Sequence, residues 1–550
     1  MTDSLLHALT GYASACLPEA VLGLSACLMF LGGTWLHCRM RWGIWALVSL
    51  AAAGVALAAN PLAQFQRQED ASAALFAAPI WMDHFALLFR VVALVGGAIL
   101  VLLSWDEVPD RQAADYHACI LIIVAGVGLT AAANELITLF LALELVSIPT
   151  YVLLYLPRVD SRAQEAAMKY FLLSVFSSAF LLFGFSYLYG MAGTTNLPAL
   201  TEALTRNPAA LQGVALVALV MIVAGLGFKI TAVPFHFYAP DVYQGTATAN
   251  AALLAFVPKA AGFAAFARVL GFLPYSFHGQ ALTDGGAAGL MLGEQVPVLF
   301  WLMAAVTMTL GNILALLQDN IKRLLAYSSV AHAGYMLIGL AVAPRLAVDA
   351  SSSVGGVEAV LFYLVCYGSM TVGAFAILSY LSTKERPVET IDDLAGLGRS
   401  HPGVAIVMAL FLFSLIGMPL TAGFWGKFLL FNGALQTPFS LDSAASLDQR
   451  IMFLRLAFIT AINAAIGGWY YLRIAAAMYL REPLNPIAKG RIRPALVAVW
   501  LCALLTLGIG VYPEPLKQAT VDAVGRVPRV RSSTAAAQPN GAVLAADIQP

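Results

Sequence analysis

The sequence predicts an all-α polytopic membrane protein with about 14 transmembrane helices. Two five-helix repeats, helices 4–8 and helices 9–13, form its centre, and each contains one broken helix. Three observations lead to this fold class. Of the 550 residues, 60% are hydrophobic and only 11% are charged, with a mean hydropathy of +0.82. A soluble chain needs far more polar surface. Apolar runs of about 20 residues, the length that crosses a hydrocarbon core, recur fourteen times. The basic residues between these runs also segregate by side.

The runs lie near 12–36, 42–60, 80–104, 116–133, 134–156, 163–190, 212–243, 247–272, 298–316, 321–343, 355–382, 401–434, 452–480 and 493–512. The first is long enough to span, so it reads as a membrane helix and not as a cleavable signal. The fourth and fifth nearly touch at Ala131–Asn134 and need a very tight turn. With this count the odd-numbered connections carry fourteen Lys and Arg residues, and the even-numbered ones carry four: Arg67, Arg206, Arg345 and Arg450. The asymmetry places the odd connections in the cytoplasm and both termini on the opposite side of the membrane.

Composition and motifs exclude several classes of function. A net charge of zero gives no electrostatic footprint for nucleic acid. The six cysteines form no CxxC pair; Cys16, Cys27 and Cys38 recur every eleven residues and read as packing residues on one helical face. There is no Walker loop, no strand-borne GxGxxG and no HExxH. GLGRSHPG at 396–403 reads as a connecting turn, and 513–550 as a disordered tail.

The chemistry is carried by charges placed where charge is costly. Of only eight lysines, four (Lys169, Lys229, Lys259 and Lys427) fall inside apolar spans. Each costs about 2.5–3.5 kcal/mol near mid-membrane on insertion scales. Arginine would supply the same charge but does not release its proton in proteins, whereas lysine does. A line of buried lysines therefore suits a proton path. Snorkelling near a helix end or a static ion pair is the competing reading, strongest for Lys169 and weakest for Lys259, which follows a proline in mid-span. Glu144 sits ten residues into its span with Ser147 and Tyr151 on the same face. It is expected to pair with Lys169 on the next helix, as a fixed bridge or as a switch. His332 shares a face with Ser328 and Tyr335 and reads equally well as a relay or as a satisfied polar residue.

Two spans are interrupted. In GLGFKITAVPFHFYAPDVYQG, Pro234 and Pro240 follow Lys229; in FLFSLIGMPLTAGFWGKFLL, Gly417, Pro419, Gly423 and Gly426 precede Lys427. Broken helices at corresponding positions of two halves point to ion sites. The halves do correspond: EAAMKYFLLS from Glu165 is similar to EAVLFYLVCY from Glu358, and the breaks lie about 185 residues apart. This divides the chain into an N-terminal three-helix segment (1–115), a first repeat (116–272), a second repeat (298–480), a last span (493–512) and the tail.

With these residues assembled, the chain resembles the antiporter-like membrane subunits of respiratory complex I and their relatives in cation/proton antiporter complexes. PDVYQG followed by PKAAGFA, and Lys427 where another branch carries glutamate, mark one branch of that family. The resemblance implies that Glu144 and Lys169 form a coupling ion pair and that Lys229 is the central proton carrier. Lys259 then continues the axis, His332 lies between Lys259 and Lys427, and Lys427 is the terminal carrier. It further implies no cofactor in this chain: FMN, iron–sulfur clusters and quinone belong to partner subunits of an NADH:quinone oxidoreductase. The implied partners are other complex I membrane subunits, especially a neighbouring antiporter-like subunit M and a small subunit K, together with the lipid bilayer. A free-standing cation/proton antiporter is the rival reading and a quinone-binding enzyme the third. Co-purification and an absorption spectrum separate them.

Overall fold

In the lipid core every backbone polar group must be satisfied within the protein, and a helix achieves this within one segment. The computed structural model describes residues 13–59, 78–157, 160–206, 208–272, 289–346, 355–383, 387–440, 447–482 and 494–525. Among them the regular structure is helical: α1 (Leu17–Gly32), α2 (Arg39–Ala59), α3 (His84–Ser104), α4 (Ala113–Ala132), α5 (Leu136–Tyr155), α6 (Ser161–Ala192), α7 (Pro208–Lys229), α8 (Ala239–Gly245) and α9 (Thr248–Phe272). There follow α10 (Gly289–Leu316), α11 (Ile321–Leu346), α12 (Gly356–Leu381), α13 (Pro402–Ile416), α14 (Ala422–Ser440), α15 (Leu447–Leu480), α16 (Pro494–Val511) and α17 (Glu514–Gly525). Among the described residues eleven helices are long and apolar enough to cross a membrane. Three shorter apolar ones, Leu17–Gly32, Gly213–Lys229 and Pro402–Ile416, stand where the sequence places further spans.

The tight turn expected between the fourth and fifth spans is present. Ala133, Asn134 and Glu135 join α4 to α5, held by the Asn134 amide on the Pro79 carbonyl and by isolated bridges Ile80–Ala133 and Glu135–Asn196. Two expectations are corrected. The segment 513–550 is not wholly a tail: Glu514–Gly525 is helical and packs on α3 and α12, burying Thr520 and Ala523. The rest of that expectation lies outside the described residues. Cys38 lies beyond the end of α1, so Cys16, Cys27 and Cys38 do not share one helical face.

Three helices, α9, α11 and α12, are buried along nearly their whole length, while α2, α6, α15 and α16 leave most of their surface outside. Lipid tails are as apolar as leucine, so close packing of small residues holds such helices together. The α10–α11 seam follows that rule. A Cβ on Gly311 would lie 2.6 Å from the Ala331 nitrogen, and one on Gly334 2.5 Å from the Met308 nitrogen. Two buried arginines fasten the N-terminal helices. Arg90 grips both Glu19 oxygens at 2.6 and 2.9 Å, and Arg268 grips both Asp83 oxygens at 2.8 Å while also donating to the Ala131 carbonyl. Asp83 simultaneously caps α3 by accepting from the Ala86 amide at 2.8 Å.

Both interrupted spans break as the prolines require, since proline has no N–H for the helix ladder. The first stops at Lys229, passes Thr231 in the left-handed region (φ 60°) and resumes as the seven-residue α8. The second ends on Gly417 (φ 97°), passes Pro419 and Leu420 (φ 68°), and resumes at Ala422. Left-handed Thr and Leu are sterically disfavoured, so tertiary contacts hold both breaks in place.

Candidate proton-transfer site

Lys229, the last residue of α7, is 5% exposed. Its ammonium donates to the Ser147 hydroxyl at 2.7 Å and stands 3.8 Å from Glu144 Oε1. Glu144 in turn accepts from the Ser178 hydroxyl at 2.6 Å. The stripe read from the sequence on α5 is therefore real in part: Ser147 serves Lys229, while Tyr151 donates to Ser174 at 2.7 Å.

The expected Glu144–Lys169 pair is not formed. Lys169 lies 2.6 Å from Glu165 Oε1, donates to Asp241 Oδ2 at 3.0 Å, and its side chain is 41% exposed. The reason is helical rise: Ser178, the α6 residue that reaches Glu144, is nine residues from Lys169, or about 13 Å along the helix. A lysine side chain does not span that gap. Asp241 also accepts from Arg323 at 2.7 Å, so one carboxylate on α8 ties the broken segment to α6 and α11 together.

Lys259 is fully buried behind Pro258, and its ammonium donates to the carbonyl and hydroxyl of Ser329. It lies 5.2 Å from the centre of the Tyr367 ring, whose hydroxyl donates to the same Ser329 at 2.8 Å. Lys259 sits on α9, which packs directly on the end of α7: a Cβ on Gly262 would lie 2.6 Å from Ile230 and 3.5 Å from Lys229 Cβ. One turn further along α11, His332 is held between two tyrosine hydroxyls, Nδ1 to Tyr363 at 2.6 Å and Nε2 to Tyr471 at 2.9 Å. Tyr471 is also hydrogen-bonded to Ser328. A neutral imidazole donates from one nitrogen and accepts at the other, so a bridge of this kind is able to pass a proton by exchanging tautomers.

Lys427 lies past the second break. Its ammonium donates to the Leu415 and Ile416 carbonyls at 2.7 and 3.0 Å, groups that the end of α13 leaves without helical partners. It lies 4.9 Å from the centre of the Tyr335 ring, and Tyr335 accepts from Asn312 at 3.1 Å. Gly426, where a Cβ would overlap Tyr363, brings α14 against the His332 cluster.

The structure thus joins Glu144 with Lys229, and sets Lys259, His332 and Lys427 among a run of hydroxyls on α11, α12 and α15. It leaves Lys169 with Asp241. Sequence reasoning missed Asp241, Ser329, Tyr363, Tyr367 and Tyr471. The available signal was the spacing of Tyr363 and Tyr367, four apart on an otherwise apolar span, which places both hydroxyls on one helix face. Among the described residues no group of three or more His, Cys, Asp or Glu side chains could hold a metal ion.

Residues 133–447 match the family described as NADH:quinone oxidoreductase/Mrp antiporter, TM. The chain belongs to this family of membrane subunits. A relative from Solibacter usitatus named NADH-quinone oxidoreductase subunit N 1 is 38% identical over 503 residues, which is 90% of this chain and 94% of that protein. A chain of respiratory complex I from Thermus thermophilus is similar in structure, with a TM-score of 0.67 and 28% identity over 92% of this chain and 99% of that one. A chain of the Mrp complex from Dietzia shares the fold, with a TM-score of 0.73 and 20% identity over 93% and 96%.

Proposed function

We propose that this chain is the proton-translocating subunit N of a bacterial NADH:quinone oxidoreductase, and that protons pass along Glu144, Lys229, Lys259, His332 and Lys427. The observation that carries this reading is the set of buried and half-buried lysines bonded to hydroxyls and carbonyls, Lys229 and Lys427 at the two helix breaks and Lys259 between them. Glu144 holds the ammonium form of Lys229. When a proton leaves Lys229, Lys259 receives it, and Ser329 with Tyr367 orients the accepting nitrogen. His332 relays between the Ser328–Tyr471 and Tyr363 hydroxyls towards Lys427. The carbonyl groups of Leu415 and Ile416 stabilise the proton on Lys427 before release. Lys169 acts with Asp241 as a positioning residue that keeps α8 and the first break in register.

The energy comes from NADH oxidation and quinone reduction in partner subunits, which carry FMN, iron–sulfur clusters and the quinone site. Membrane subunits M and K are the expected neighbours. The charge asymmetry of the connections supports both termini on the periplasmic side. The two breaks support a duplicated unit, 116–272 and 298–480, between an N-terminal three-helix segment and a last span.

The test is Lys229→Ala and Lys427→Ala in the assembled complex. Both variants are expected in membranes at normal content, because an apolar side chain costs nothing in insertion. NADH-driven proton uptake and quinone reduction should fall together. Normal pumping in both variants would defeat the reading, and recovery of the chain alone in mild detergent would favour a free-standing cation/proton antiporter.

A further inference from the structure

A cleft of about 820 Å³ opens at one end of the helix bundle. Its wall contains Arg39, Asp106, Glu107, Lys322, Ser379 and Glu389. Residues from all seven odd-numbered connections or their flanking helix ends line it, from Arg39 in the first to Pro494 in the thirteenth. These are the connections that carry the excess of basic residues, so the cleft faces the side read as cytoplasmic.

Glu107 sits in this wall with defined contacts. One carboxylate oxygen accepts from the Ala249 amide in the first turn of α9 at 3.0 Å, and the other accepts from the Ser379 hydroxyl on α12. The cleft therefore meets α9 at its first turn, and α9 is the helix that carries Lys259. Lys322 lies on the same wall and donates to the Thr246 carbonyl at 3.0 Å. It shares a face of α11 with Ser329, seven residues on, and two helical turns cover about 10 Å. Ser329 is the residue that holds Lys259. Polar groups occupy the interval: Thr246 accepts from Asn250 at 3.2 Å, Asn250 accepts from the buried Tyr116 hydroxyl at 2.6 Å, and Tyr243 lies 3.5 Å from Ser329.

We infer that this cleft is the water-filled proton inlet to Lys259 and that Glu107 is its proton-collecting group. A hydrated proton from the cytoplasm is taken up by the Glu107 carboxylate. The carboxyl gives it to water in the cleft, and it passes the Thr246–Asn250 and Tyr243–Ser329 groups to the free amine of Lys259. Each transfer requires groups in hydrogen-bond reach, directly or through one water. This inference rests on the proton path proposed above, and it adds to the transfer from Lys229 a main cytoplasmic entry that joins the path at Lys259.

The alternative role for Glu107 is purely structural, as a cap that ties α9 to α12. Glu107→Gln separates the two. Glutamine still accepts from the Ala249 amide and still bonds Ser379, but it carries no exchangeable carboxyl proton. In inverted membrane vesicles, Glu107→Gln is expected to lower NADH-driven proton uptake about tenfold, as loss of a positioned proton-transfer group does. Complex content and NADH oxidation by ferricyanide should stay unchanged, and Glu107→Asp should restore much of the rate. Uptake at the wild-type rate in Glu107→Gln overturns the inference.

A second measurement stands if that variant assembles poorly. Ser379→Cys places a thiol inside the cleft, and the probe is a cationic, membrane-impermeant methanethiosulfonate reagent added to the outside of inverted vesicles. Labelling with a several-fold loss of proton uptake, beside an unaffected wild type, supports the inlet. No reaction, or reaction without inhibition, overturns it. Lys229→Ala measured in parallel keeps the two readings apart: if it abolishes pumping while both cleft variants pump normally, the inlet falls and the proposed function stands.

Discussion

Glu144→Gln is the sharpest test of the central site. Glu144 Oε1 lies 3.8 Å from the Lys229 ammonium. At an effective dielectric of 20, unit charges at that separation attract by about 4 kcal/mol. Glutamine keeps the shape and can still accept from Ser178, so the change removes charge and little else. A step that requires the ammonium form at Lys229 loses that support, up to about 10³-fold in rate at about 1.4 kcal/mol per decade. The Glu144 side chain is 19% exposed, and the solvent reaching it weakens the attraction, so a fall of roughly 30- to 300-fold is expected. Glu144→Asp keeps the charge one methylene further away and should retain roughly a fifth of the turnover. The assay is NADH-driven proton uptake in inverted vesicles, normalised to complex content on native gels. Unchanged pumping in Glu144→Gln would refute the electrostatic role. A loss of assembly in proportion to activity would mark a structural bridge instead.

Other substitutions follow from the same geometry. Arg90→Ala leaves the buried Glu19 carboxylate without its partner, a cost of about 3–5 kcal/mol; the complex should be strongly depleted in membranes by immunoblot, and normal content would contradict the clamp role. Lys259→Arg keeps the charge but not the release of a proton; pumping should fall at least about tenfold with assembly intact, and an active variant would show that charge alone suffices. Tyr471→Phe removes the hydroxyl shared by Ser328 and His332 and should slow proton uptake about tenfold at normal complex content; full activity would take His332 out of the relay.

The fold was largely legible in the sequence because a membrane leaves few solutions. Runs long enough to span and prolines at 234 and 419 correspond to observed helices and breaks. Which charges the apolar helices carry was legible in the sequence, but not how they pair. Lys229, Lys259 and Lys427 stand out as charges inside apolar runs, whereas which carboxylate meets which lysine depends on axial register between helices. Glu144 reaches α6 at Ser178, two and a half turns from Lys169, and no spacing within a single helix reports that offset. The hydroxyls around His332 were hidden for a different reason: they come from α11, α12 and α15, and a tyrosine on an apolar span looks like packing until its partner is known.

The buried cations divide by chemistry in a way that links fold to function. Arg90 and Arg268 each hold a carboxylate with two hydrogen bonds, the geometry in which a planar guanidinium loses least and fixes most. Both join helices of the N-terminal segment to one another or to α9, where rigidity is what the contact supplies. Buried Lys229 and Lys259 and half-buried Lys427 are held otherwise. Lys259 and Lys427 bond to neutral hydroxyls and carbonyls, and Lys229 bonds a serine with its carboxylate at 3.8 Å, beyond hydrogen-bond distance. A tight carboxylate contact on a lysine would hold its proton too firmly to let it move on, while an isolated ammonium would be too costly to bury. Neutral acceptors lie between these limits: they satisfy the ammonium when it is present and remain compatible with the amine when it is not. Arginine clamps beside lysines on neutral partners are therefore the arrangement expected of a rigid frame around a charge that moves.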